Sequence, residues 1–143
     1  MFTDRPLAGN GLAVVHDADG VSDEVMLAFA KETRLVETTF VQSSGVADYR
    51  NRIWTPAGEI PFAGHPSLGT AVAVALERGE DDVEYRQQTH AGIQPVRVER
   101  DGDRARVTEV EVEALRAHPQ DFRRLDADVR ELRSLRYRAS AGR

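Results

Sequence analysis

Apolar positions along the chain fall into short bounded runs that switch between strand and helix spacing. Residues 11–16 form a compact apolar run between Ala8-Gly9-Asn10 and Asp17-Ala18-Asp19-Gly20, which predicts a buried strand flanked by turns. Ser22 stands where an N-cap belongs, Asp23 and Glu24 follow it, and Val25, Met26, Phe29 and Ala30 recur at helical spacing. An amphipathic helix is therefore predicted from there to about Thr33. Residues 37–41 are rich in β-branched and aromatic types and close on Ser43, Ser44 and Gly45, while residues 49–55 end at Pro56. Both read as strands. Residues 83–88, 93–99 and 104–112 complete the set of strands, with Asp101, Gly102 and Asp103 forming the hairpin turn between the last two.

The helix predicted after Pro66 has a different character. From Leu68 to Leu76 it is apolar on every side and built from small residues, with Glu77 and Arg78 as its first charges. A helix apolar all round is buried all round, so the pattern predicts an α+β domain in which a sheet curls about one central helix. Pro66 suits the first helical position, where its missing N–H costs nothing. Beyond Glu113 the pattern thins. Residues 121–137 offer Phe122, Leu125, Val129, Leu132 and Leu135 as a narrow helical stripe, and 139–143 are predicted to fray. The reading is thus a patterned body over 1–112 and an Arg-rich tail over 113–143 that is partly helical or disordered.

Composition narrows the chemistry. At 143 residues with a net charge of −5, the chain is one acidic domain. Its balance argues against nucleic-acid or anionic-lipid partners, which need a cationic surface, and no apolar run reaches the roughly 20 residues of a membrane span. Asp4, Arg5 and Pro6 stand where a signal peptide would be apolar, so a cytoplasmic location is expected. The chain has no cysteine, which removes thiol nucleophiles, thiolate metal sites and disulfides together. The four histidines, at 16, 65, 90 and 118, lack the spacing of a metal pair. No metal site is expected.

Two candidate sites remain. The stretch 55–70 (TPAGEIPFAGHPSLGT) carries Pro and Gly into the start of the buried helix, where unpaired backbone N–H groups attract carboxylate or phosphate. Gly64 lets a ligand approach the backbone and His65 adds a proton carrier near neutrality. The plainer alternative is that Gly and Pro only cap a core helix and that His65 is a satisfied loop histidine. Glu37 opens an apolar strand after Leu35 and Val36, so partial desolvation would raise its pKa into a useful acid/base range. Its alternative is an ordinary strand-end carboxylate in water. Thr38 or Thr39 could hold that carboxylate by a hydroxyl, Glu59 reads as a loop carboxylate, and Glu80, Asp81 and Asp82 as a solvated turn.

Three stretches in order, FTDRPLAGN at 2–10, LVETTF at 35–40 and TPAGEIPFAGHPSLGT at 55–70, resemble the N-terminal half of the PhzF-like phenazine-biosynthesis proteins. These are a branch of the diaminopimelate-epimerase-like fold. The resemblance implies a mixed or antiparallel sheet wrapped about a central helix and cofactor-independent isomerase chemistry on a small carboxylate-bearing substrate. It assigns to Glu37 the role of proton shuttle and to His65 that of assisting proton transfer. Gly64, His65, Pro66 and Ser67 would hold the substrate. Related epimerases use two cysteines, and a chain without them fits the glutamate-based branch. Proteins of this family are about twice as long, with two similar domains and the site between them, so this chain reads as truncated. It is expected to form a homodimer, or to pair with a missing C-terminal half, through an apolar face left open on the half-barrel. The alternatives are a catalytically silent half-domain that acts as an assembly partner, and a ligand-binding module without turnover.

Overall fold

The computed structural model describes residues 9–102, 104–109 and 125–128. In chain order the elements are β1 (Leu12–Val15), α1 (Asp23–Thr33), β2 (Glu37–Gln42), β3 (Tyr49–Thr55), β4 (Gly58–Ile60), α2 (Gly64–Arg78), β5 (Asp82–Thr89), β6 (Gly92–Asp101), β7 (Arg104–Glu109) and β8 (Leu125–Asp128). They form one mixed sheet in the order β1-β2-β3-β5-β6-β7-β8, with β4 added beside β3. β1 runs parallel to β2 and β3 parallel to β5, while the other pairs are antiparallel. One edge of β3 is shared: β4 takes Ile53–Thr55 and β5 takes Tyr49 and Arg50.

The sheet curls about α2 as the all-apolar helix predicted. α2 touches β1, β2, β3, β5, β6 and β7, and every residue from Pro66 to Ala75 is buried. Ala, Val and Gly in this stretch keep the helix slim enough for strands to close round it, and Tyr49, Tyr85, Val96, Val98 and Val107 fill the space between. Gly79, at φ +72°, ends α2 in the left-handed turn that closes its last carbonyls. α1 lies on the opposite face of the sheet, where Met26 and Ala30 pack with Val15, Phe40 and Trp54. Its predicted N-cap is in place, with Ser22 Oγ accepting from the Val25 N–H.

Several expectations need correction. α2 starts at Gly64, so Pro66 is its third residue and not its first. Within the first turn the missing N–H is equally harmless, which is why the sequence left the start ambiguous. The approach to α2 is not all loop: it contains β4, a short hairpin partner of β3. Glu59 lies on β4 and is no loop carboxylate, since Arg52 grips both of its oxygens, at 2.8 and 2.6 Å. The acidic turn is solvated as expected, with Asp81 and Asp82 exposed, although Tyr85 Oη donates to Glu80 and Arg97 pairs with Asp82. The helical stripe predicted over 121–137 is strand at Leu125–Asp128, which pairs with β7. The rest of that stripe, residues 110–112 of the last predicted strand and residues 1–8 lie outside the described residues. Among the described residues the large exposed apolar side chains are Val25, Val36 and Val46, on three separate segments.

Arg52 is the main polar fastening of the hairpin. Its side chain is 10% exposed, it bonds Asp23 of α1 at 2.7 Å as well as Glu59, and it stacks over Trp54 at 5.3 Å. Lysine offers no planar fork for that arrangement. Replacing Arg52 by alanine leaves the Glu59 carboxylate only His90, at 3.4 Å, and is expected to cost about 3 kcal/mol, read as a lower urea midpoint with an unchanged slope.

Candidate active site

The alternation of β2 decides which way Glu37 points. Thr38 and Phe40 face α1: Thr38 Oγ1 is 3.4 Å from Thr33 Oγ1, and Phe40 meets Phe29 edge-on at 6.0 Å. Thr39 and Val41 face α2, where Thr70 Oγ1 donates to Thr39 Oγ1 at 2.8 Å and Val41 joins the apolar cluster around the helix. The period of two then puts Glu37 on the α2 side. Two strand residues span about 6.6 Å and five helix residues about 7.5 Å, so with Thr39 against Thr70, Glu37 falls beside His65. Glu37 Oε2 lies 3.6 Å from His65 Nδ1.

Both side chains are largely withdrawn from water, at 14% and 17% exposure. Burial raises the Glu37 carboxyl above its usual range and lowers the His65 imidazole, because each loses solvation of its charged form. At 3.6 Å the two are in electrostatic contact without a direct hydrogen bond. Glu37 Oε2 is buried and makes no hydrogen bond among the described residues. The threonine hydroxyls do not hold it: Thr38 is engaged with Thr33, and Thr39 with Thr70 and the Ala13 carbonyl.

The start of α2 faces the same place. Ala63 occupies the N-cap position without a side-chain cap, and the first turn holds no acidic residue. Pro66 brings no N–H, and the Ser67 N–H is spent on the Ala63 carbonyl at 3.2 Å. The positive end of the helix dipole lies at Gly64 and His65, where it favours an anion. Gly64 and His65 are half-buried and Pro66 and Ser67 buried. Ser67 Oγ makes no hydrogen bond among the described residues. A separate cavity of about 380 Å³ opens at the other end of β2, between Asp19, Gln42, Asp48, Glu77 and Arg78. It takes no part in this site.

Residues 1–131 match the sequence profile of the family described as "Phenazine biosynthesis-like protein". The chain belongs to the PhzF family. Among curated PhzF-related proteins, a trans-2,3-dihydro-3-hydroxyanthranilate isomerase of Pseudomonas aeruginosa is 45% identical over 102 residues, 69% of this chain and 35% of that protein. An uncharacterized isomerase of Escherichia coli, YddE, is 33% identical over 107 residues, covering 75% of this chain and 36% of its own length. The chain spans about a third of the length of the curated relatives it matches. The crystal structure of a Bacillus anthracis PhzF-family protein superposes with a TM-score of 0.67 at 36% identity, over 76% of this chain and 37% of that one. A predicted epimerase of P. aeruginosa gives 0.67 at 37%, over 74% and 39%. The PhzF fold of these neighbours is therefore the fold of this chain.

The sequence singles out Glu37 and the Gly64–Ser67 turn as candidates but not what brings them together. The Arg52–Glu59 grip and β4 were missed, although Pro56-Ala57-Gly58 between two extended segments is a readable hairpin signal. Nothing in the sequence marks Thr39 and Thr70 as partners.

Proposed function

We propose that this chain supplies one half of a PhzF-type isomerase site, which moves a proton between carbons of a small carboxylate-bearing substrate without a cofactor. The observation that carries this reading is the Glu37–His65 pair, 3.6 Å apart at a helix start with no side-chain cap. Glu37 in its carboxylate form takes a proton from an acidic C–H and, as the carboxylic acid, returns it to another carbon of the same substrate. Burial favours this because a carboxyl with a raised pKa is both a stronger base and able to stay protonated between the two transfers. His65 stabilises the intermediate charge. The substrate carboxylate rests on the N–H groups and dipole at Gly64 and His65, with Pro66 behind it and the Ser67 hydroxyl completing the cradle.

The proposed substrate class is the one in the name of the P. aeruginosa relative, a cyclic dihydro-hydroxy amino acid. In this reading the chain supplies one wall of the cleft, and a second copy or a complementary half supplies the other. The second reading is a silent half-domain that serves in assembly. Incubation with trans-2,3-dihydro-3-hydroxyanthranilate in D₂O, followed by mass spectrometry alongside sedimentation, separates the two. Deuterium entering carbon positions in step with a dimeric species supports the isomerase. A monomer at micromolar concentration with no exchange supports the silent domain.

A further inference from the structure

We propose that Thr70, acting through Thr39, is the positioning residue of the Glu37–His65 pair, fixing where α2 stops along β2. The proposal deepens the reading of Glu37 and His65 as a working pair and rests on it. The two hydroxyls lie 2.8 Å apart at zero exposure, and Thr39 Oγ1 donates onward to the Ala13 carbonyl at 3.4 Å. Thr39 has one hydroxyl proton. Spent on Ala13, it leaves Thr39 to accept from Thr70, so a directed chain runs from α2 through β2 to β1.

The apolar side chains around this contact, Leu12, Val14, Val41, Leu68, Ala71 and Val72, share one cluster. Apolar burial is non-directional, and a helix faced with Ala, Gly and Val presents a smooth surface on which small axial shifts cost little. A hydrogen bond between buried hydroxyls is directional, and an axial slide of about 2 Å stretches it out of range. The far end of α2 has its own polar anchor, where Arg78 bonds the Asp48 carbonyl at 3.2 Å and stacks over Tyr85. That anchor stands eight residues, about 12 Å, from Thr70 and leaves the start of the helix to the threonine pair. Thr39 is two residues from Glu37 and Thr70 five from His65, so the hydroxyl bond sets the separation of the two functional groups almost directly.

The test measures the coupling between Glu37 and His65, which does not require turnover. The His65 imidazole is titrated by NMR with and without Glu37→Gln, in the parent and in Thr70→Val, Thr70→Ser and Thr39→Val. In the parent, removing the Glu37 charge is expected to shift the His65 midpoint downward. In Thr70→Val, which keeps the shape and removes the donor, that shift falls by at least half, and Thr70→Ser restores it. Thr39→Val, which removes the acceptor, gives the same loss and serves if Thr70→Val does not fold. An undiminished shift in a folded valine variant overturns the proposal, as does a serine variant that behaves like valine. Absence of any shift in the parent also overturns it, because there is then no pair to position. Where exchange is seen, kcat falls about tenfold to a hundredfold in Thr70→Val with KM unchanged. A chain that shows coupling but no exchange leaves the positioning intact and removes only the isomerase reading.

Discussion

Glu37→Gln is expected to lower proton exchange by on the order of 10²- to 10⁴-fold while the fold persists. Glutamine keeps the shape of the side chain beside His65 and cannot carry the proton. Unchanged exchange would remove Glu37 from the chemistry. The same substitution reports on stability through pH. Glu37 ordinarily titrates at 4.5 and is raised in the fold by burial, so the folded state binds more protons than the unfolded chain above that pH. Its contribution is therefore full below 4.5 and is lost as pH rises through the raised folded pKa. His65 works the other way. Lowered from 6.5 by burial, it contributes fully above 6.5 and loses that contribution as pH falls through its lowered folded pKa. The denaturant midpoint of Glu37→Gln is thus expected to exceed that of the parent by a margin that widens as pH rises from 4.5 and then levels off. A margin that narrowed with rising pH would contradict the desolvation of Glu37.

The second large effect concerns the helix itself. Val72→Asp is expected to abolish the fold, seen as loss of near-UV circular dichroism and of amide dispersion. Val72 has no exposure and lies in the centre of the wrapped helix, so a carboxylate there has no water and no cation to meet. The effective cost of burying an unpaired ion is several kcal/mol, comparable to the roughly 5–15 kcal/mol that holds a domain together. By contrast Glu77→Asp, beyond the buried stretch of α2, is expected to leave the circular dichroism unchanged. A folded Val72→Asp protein would mean that the sheet does not close round α2.

Legibility followed how local the cause was. The N-cap at Ser22, the helix to Thr33 and the strand over Tyr49–Thr55 were readable because each rests on neighbouring residues: a side chain reaching three residues ahead, apolar spacing, and a proline that ends the run. The start of α2 was misplaced by two residues because Gly64, His65 and Pro66 all suit a first turn. β4 and β8 were missed because, unlike the equally short but wholly apolar β1, their sequences GEI and LDAD form no apolar run, and their existence depends on an available neighbour edge. Glu59 was misjudged for the same reason, since its partner Arg52 stands seven residues away on another strand.

By itself the sequence determined the class of fold, because an all-apolar helix of small residues has no stable place except inside a sheet. It also determined which residue types are left for chemistry, since a chain without cysteine must use carboxylate, imidazole or hydroxyl. The tertiary structure decided that Glu37 and His65 meet. They are 28 positions apart in the chain, and no local propensity links them. Their 3.6 Å separation follows from the pleat that turns Glu37 inward and from a buried hydroxyl pair that sets the helix against the strand, both consequences of closure around α2.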